Sequence, residues 1–314
     1  MQLSLIRIPF FFFLLLLIAP SLLYADTERR TALVIGNGDY NFGRLKNSVN
    51  DANDIREALK KLGFRVTMKK NAGRREMIEA INHFGDTLKD GGVGLFFYAG
   101  HAVQVDGNNY LIPINANVSD KDDIEHEAVD LNRILKKINI AKNNMNIVIL
   151  DACRDNPFPS ISRSMSRGLA IIPTTPTGTI ISYATAAGQT ASDGEGRNSP
   201  YTTALLKHIQ EPGLSIEQVF KKVRNSLAML TGGKQVPAEY TNLNGDFYFT
   251  PAKGNLSPAN QVANNEDSAP TKMKKIKVIK TPGHWENTTS AIGTEVKTWI
   301  PPEYETRMVP DKQQ

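Results

Sequence analysis

GLFFYAGH, residues 94–101, and NIVILDAC, residues 146–153, are the two stretches that decide how this chain folds. Each is a short apolar run with no polar alternation. Runs of this length, rich in β-branched and aromatic side chains, read as strands buried on both faces, the pattern of a parallel sheet covered by helices. The first run ends on His101 and the second on Cys153. Open parallel sheets collect their chemistry where the carboxyl ends of strands meet loops, so both residues are expected at one edge of the sheet. Cys153 is the single cysteine, which excludes an internal disulfide. A buried free cysteine is also an ordinary core residue, and it is the expected company of His101 that makes this one a candidate reagent.

Working outward, the same alternation of element types continues on both sides. TALVIG (31–36), FRVTMK (64–69) and TIISYAT (179–185) read as further strands. NDANDIREALKKLG (50–63) places Ala52, Ile55, Leu59 and Leu62 at helical spacing and stops on Gly63. RREMIEAINHFGDTL, VDLNRILKKI, PYTTALLKHI and SIEQVFKKVRNSLAML carry the same period, and VQVDGNNYLIP has a DG turn between alternating segments, hence a hairpin. Strands alternating with helices of this length imply an α/β fold: a mainly parallel sheet with helices on both faces.

Residues 1–25 stand apart from this domain. Arg7 precedes the apolar run IPFFFFLLLLIAPSLLYA, and Ala25 is followed by the charged DTERR. That is the form of a secretory signal cleaved near Ala25, with an uncleaved anchor as the alternative, and it implies a periplasmic or extracellular destination. No later stretch is apolar enough to span a bilayer. The domain is expected over 30–251, closing at GDFYFTP, with a polar linker over 252–270 and a tail over 271–314. In the tail TPGHWENTT faintly echoes IPPEYETRM, with Trp285 and Tyr304 in matching places. Two strand-and-turn elements, a partner-binding segment or a partly ordered tail all fit it. The net charge of +5 is spread along the chain and is not a nucleic-acid footprint. Phosphate-loop and zinc-ligand spacings are absent from the sequence, so neither a cofactor nor a transition metal is expected.

A cysteine protease needs a thiolate, an imidazole to exchange its proton, and amide donors for the oxyanion. His101 and Cys153 supply the first two, and the amide of Cys153 is one candidate donor. For His101 alone, a loop histidine bonded to backbone is the plainer use.

TALVIGNGDY, NSVNDANDI, GLFFYAGHAVQVDGNNYLIP, NIVILDACRDNPF, SYATAAGQTASDGEGRNSPYTTAL and GDFYF together resemble the caspase-type peptidases, in the form of the bacterial metacaspase-like domains. The resemblance implies a Cys–His dyad with Cys153 as nucleophile, His101 as general base or acid, and no obligatory third carboxylate. It also bears on specificity. Where caspases carry a glutamine and arginines that read an acidic P1 residue, this chain has Asp151 and Asp193, and Asp51 falls where metacaspases place another acidic pocket residue. Three carboxylates would select Arg or Lys at P1 and repel acidic side chains. Each has a plainer use: Asp51 as a helix cap, Asp193 in a turn with Gly194, Asp151 bonded to loop amides.

The family usually has glycine after the catalytic histidine and uses its amide as the second oxyanion donor; here the residue is Ala102. If that position needs φ > 0, alanine is strained and activity suffers. A catalytically silent binding module is therefore the rival expectation. Arg163 and Arg167, in the Ser- and Gly-containing segment after Cys153, are candidate self-cleavage sites, with a plain surface loop as the alternative. Asp120, Asp122, Asp123 and Glu125 are a candidate calcium cluster or simply an acidic solvated turn.

Overall fold

The computed structural model describes residues 28–153, 158, 169–170, 172, 175–186, 189 and 191–252, together with four strands between 273 and 310. The expected signal segment, Arg163, Arg167 and the expected linker from 253 lie outside the described residues. Two compact units are present, dividing at Leu256 and Ser257.

In the first unit, strands β1 (Arg30–Gly36), β2 (Arg65–Lys70), β3 (Val93–Val105), β6 (Met145–Cys153), β7 (Thr179–Tyr183) and β8 (Ala238–Asn242) form one sheet in the order β2-β1-β3-β6-β7-β8. All neighbours are parallel except β7 and β8, which run antiparallel. Strands β4 (Asn108–Leu111) and β5 (Val129–Asp130) attach to the far end of β3. The β3–β4 hairpin closes through Asp106 (φ 48°) and Gly107 (φ 82°) between the paired Val105 and Asn108. Two central residues with φ > 0 make the tight turn that the DG dipeptide foretells.

The continuous apolar runs are explained by two cores, one on each face. Ala32, Val34, Leu95, Phe97, Ile147 and Ile149 pack with α1 (Ser48–Lys61), α5 (Pro200–His208) and α6 (Ile216–Leu230). Leu33, Ile35, Phe96, Tyr98, Val148 and Leu150 point to the opposite side, against α2 (Arg74–Leu88) and α4 (Asn132–Ala141). Successive side chains of a strand face opposite ways, so only a strand apolar at every position fills both layers. Phe247 and Phe249 are buried in the first core, and Arg30 lies over the rings of Phe64 and Phe247 while donating to the Phe249 carbonyl at 2.7 Å. That contact ties the GDFYFTP segment to the start of β1. Helices α5 and α6 are also joined through His208, whose Nδ1 lies 2.5 Å from Glu211 Oε1 and whose Nε2 lies 2.7 Å from Ser226 Oγ.

Two elements depart from expectation. β8 is antiparallel and its sequence, AEYTN, lacks an apolar run, because an edge strand is covered on fewer sides. β3 does not end at His101 but continues for four residues past it, since β4 replaces β1 as its partner.

In the second unit, β9 (Met273–Thr281) pairs antiparallel with β12 (Glu303–Pro310), and β10 (His284–Thr289) pairs with β11 (Glu295–Ile300). The pairs are nested, so the tail is a two-legged ribbon and not two consecutive hairpins. Trp285 is the register partner of Trp299, and Tyr304 that of Ile279. Among the described residues no helix is long and apolar enough to cross a membrane.

Candidate active site

The parallel register of β3 and β6 makes His101 and Cys153 direct Cα partners on neighbouring strands. One of five histidines and the single cysteine, 52 positions apart in the sequence, are thus brought to one rung of the sheet. His101 is buried. Its Nε2 lies 2.6 Å from the carbonyl oxygen of Gly43. A carbonyl only accepts, so Nε2 carries the proton and Nδ1 is the nitrogen that can take one up. The ring is flanked by Tyr40, with centroids 4.6 Å apart, and by Phe42 at 6.2 Å. Phe42 in turn packs on Phe158, just beyond the catalytic-strand candidate, at 4.8 Å.

The strain expected at Ala102 is absent. Among the described residues the non-glycine positions with φ > 0 are Asn71, Asp106 and Lys142. Ala102 is an extended strand residue paired with Leu111. Asn37 N–H donates to the Ala99 carbonyl on the β1 side, and Ile112 N–H donates to the His101 carbonyl on the β4 side. Peptide groups alternate along a strand. The Ala102 amide therefore points at β6, the strand that ends on Cys153.

The three aspartates do gather, around the N-terminus of α5. Asp51, on α1, accepts the Ser199 amide at 3.0 Å. Asp151, two residues before Cys153, accepts the hydroxyls of Ser199 at 2.5 Å and Thr202 at 2.6 Å on one oxygen. Ser199 is also the cap of α5, its Oγ accepting the Thr202 amide at 2.9 Å, so one residue bridges both carboxylates. Asp51 is almost fully buried, and burial followed by the charge of Asp151 pushes its carboxyl well above the usual range. Burial also raises Asp151, against the opposing hydrogen bonds of Ser199 and Thr202 and with the charge of Asp193 adding to the rise. Among the described residues no Lys or Arg forms an ion pair with Asp51, Asp151 or Asp193. Two desolvated carboxylates this close cannot both ionise at low cost unless a cation joins them.

The plainer uses are partly realised. Asp193 accepts the amides of Lys46 at 2.6 Å and Asn47 at 3.2 Å, at the start of α1, where helix N-termini favour negative charge. Asp54, on the same face of α1 as Asp51, takes Arg197 in a two-pronged contact at 2.8 and 2.9 Å. These bonds stitch residues 193–199 onto α1 and set the wall of the carboxylate cluster. In the 119–125 turn, Asp123 accepts the amides of Ser119 and Asp120, and Asp120 accepts those of Asp122 and Asp123. The carboxylates of Asp120 and Asp123 thus cap their own turn and the short helix α3 (Asp123–Glu127), while Glu125 lies 3.3 Å from the Tyr110 hydroxyl. Among the described residues no three acidic, His or Cys side chains converge as a metal site.

Ser199, Thr202, Tyr40, Tyr98 and Gly43 escaped sequence reasoning. The NSP start of α5 signals a cap but not that its hydroxyl serves a buried carboxylate. Gly43 acts through its carbonyl and leaves no sequence signal.

Against known proteins, the family model of the caspase domain matches residues 29–248. The chain belongs to this caspase-like peptidase family. Over 126 residues it is 29% identical to the mucosa-associated lymphoid tissue lymphoma translocation protein 1 of Homo sapiens and to its Mus musculus homolog, covering 40% of this chain. It spans 15% of the length of those curated relatives. The crystal structure of caspase-1 from Spodoptera frugiperda superposes with a TM-score of 0.55 at 16% identity, covering 73% of this chain and 93% of that one. At that identity the likeness speaks for the fold. Caspase family membership accounts for the mainly parallel sheet and the flanking helices.

Proposed function

We propose that this caspase-family chain is an exported cysteine endopeptidase that cleaves after Arg or Lys. The observation that carries the reading is the shared rung of His101 and Cys153, with a carboxylate cluster that no Lys or Arg among the described residues pairs, starting two residues away at Asp151. Cys153, as thiolate, attacks the scissile carbonyl. His101 gives a proton through Nδ1 to the departing amine, then takes one from the water that hydrolyses the thioester. Gly43 keeps Nε2 protonated throughout, which fixes the tautomer without a third carboxylate. The amides of Ala102 and Cys153 serve the oxyanion, and the Ala102 amide points to the β6 side with no strain, which removes the objection raised by the missing glycine.

Asp51 and Asp151 form the floor that a P1 guanidinium or ammonium neutralises, with Asp193 adding negative potential while it stays bonded to the start of α1. A basic P1 group lets both buried carboxylates ionise; an acidic one adds a third like charge. Arg163 and Arg167 offer the same P1 chemistry to a second copy of the enzyme, and the leader 1–25 directs the protein out of the cytoplasm.

The test uses the mature protein with matched Arg, Lys and Asp P1 reporters, alongside Cys153→Ala and His101→Ala. Basic substrates are cleaved at least about tenfold faster, which needs only about 1.4 kcal/mol of differential binding. Both variants are inactive, and a P1-arginine acyloxymethyl ketone adds once, on Cys153. Equal rates for wild type and Cys153→Ala end the proposal; cleavage of Asp substrates alone ends its specificity half.

A further inference from the structure

His101 sits where β3 changes partners. β1 ends at Gly36, one residue before the Asn37 amide that reaches the Ala99 carbonyl, so the His101 amide has no strand beside it to receive its proton. It donates instead to the Tyr40 hydroxyl at 3.1 Å. The His101 carbonyl accepts the Tyr98 hydroxyl at 2.7 Å as well as the Ile112 amide at 3.0 Å. The two phenol oxygens are 3.3 Å apart, and Tyr40 passes its own proton to the Ile112 carbonyl at 3.0 Å. Tyr98 is fully buried and Tyr40 nearly so, which keeps water from competing for these groups. The His101 amide is thus held by a side-chain hydroxyl where no strand lies beside it, and its carbonyl by a second hydroxyl in addition to the Ile112 amide.

Gly100 explains how two phenols reach one backbone position. A Cβ at residue 100 would stand 2.6 Å from the Tyr98 oxygen and 2.7 Å from the Tyr40 oxygen, closer than real carbons come. The residue before the histidine is glycine because the hydroxyls occupy the space of its side chain. Tyr40 further belongs to the segment that supplies Phe42 and the Gly43 carbonyl, so main chain and ring of His101 are fixed from the same loop.

We infer that Tyr40 and Tyr98 are positioning residues: their hydroxyls set the His101 backbone so that its ring stays bonded to Gly43 at the rung His101 shares with Cys153. The inference rests on His101 being the catalytic imidazole of the proposed dyad. Reacting groups must be held to a fraction of an ångström, and a misplacement of about 1 Å costs on the order of 10²-fold in rate. A phenylalanine at 40 or 98 keeps the ring and deletes only the oxygen.

The experiment compares wild type, Tyr40→Phe and Tyr98→Phe by ¹⁵N NMR of the His101 ring, and by steady-state kinetics on a P1-arginine reporter, with thermal unfolding confirming that each is folded. Wild type shows one slowly exchanging Nε2–H tautomer. In each variant that signal broadens or splits between tautomers, and kcat falls about tenfold or more while KM stays within about twofold. Gly100→Ala, which keeps both hydroxyls but displaces them, reproduces the kcat loss. An unchanged His101 tautomer with kcat within about twofold in both Phe variants overturns the inference. If wild type turns over no substrate, the proposed function fails, and the tautomer measurement decides the positioning role alone.

Discussion

Thr202→Val isolates the bond that lets a carboxylate exist inside the core beside the candidate nucleophile. Thr202 is fully buried, and its hydroxyl donates at 2.6 Å to the same Asp151 oxygen that takes the Ser199 hydroxyl. Valine fills the same volume and leaves the amide of residue 202 to the Ser199 cap, so the change removes one donor and little else. A hydrogen bond to a charged group contributes about 1.5–3 kcal/mol, and for a domain of this size each kcal/mol moves Tm by about 2–4 °C. The variant should therefore melt about 3–12 °C lower at pH 8. The pH dependence carries the stronger test. Burial raises Asp151 above its ordinary value near 3.8, so its ionisation opposes folding, with nothing lost at pH values below that and a growing loss as pH rises through the raised value. The Thr202 hydroxyl limits the rise; without it the carboxyl goes higher and the loss at alkaline pH grows. The gap between wild type and variant is thus smallest near pH 4, where Asp151 is protonated in both, and widens toward pH 8. Thermal unfolding by circular dichroism across that range reads it directly. A gap of the same size at pH 4 and pH 8 would refute the view that Thr202 serves an ionised Asp151.

Asp51→Asn should show a trade between stability and recognition. The asparagine oxygen still accepts the Ser199 amide, and the cost of a buried, like-charged carboxylate disappears, so Tm rises at pH 8 and is unchanged near pH 4; kcat/KM for basic P1 falls by about 30-fold or more, as loss of a buried charge partner costs about 2–5 kcal/mol. For wild type the KM of Arg reporters should decrease as pH rises through the raised Asp51 value, because the cation binds the ionised form; a flat KM profile counts against the carboxylate floor. Ser226→Ala leaves the His208 ring without its Nε2 partner inside the α5–α6 packing and should cost about 1–3 kcal/mol in urea unfolding with kcat unaltered. Ala102→Gly should lower stability by about 0.5–1 kcal/mol, the ordinary penalty of glycine in a strand, and leave kcat alone; a large gain in kcat would show that the extended backbone at this position is not the working one.

The amino-acid sequence determined the layers of this protein by itself. Runs apolar at every position, such as GLFFYAG and NIVIL, admit only a sheet covered on both sides, and the helices between them carry 3.6-residue stripes that fix which face is buried. Because side-chain direction follows from local geometry alone, the placement of His101 and Cys153 at one sheet edge was legible before any coordinates. The family motifs then pointed to Asp51, Asp151 and Asp193. Tertiary structure decided what those residues are bonded to. That β3 runs on to Val105 depends on β4 taking over from β1, a competition between partners distant in sequence. The freedom of Ala102 from strain follows from the same exchange. Asp193 turns out to cap the start of α1, while Asp51 and Asp151 share Ser199, because loop 193–199 folds back across 140 or more positions to reach α1. The Gly43 carbonyl, the two tyrosine hydroxyls and the space left by Gly100 act through backbone groups or single oxygens. Such contacts have no periodicity or composition to betray them, and only the folded chain brings them to the histidine.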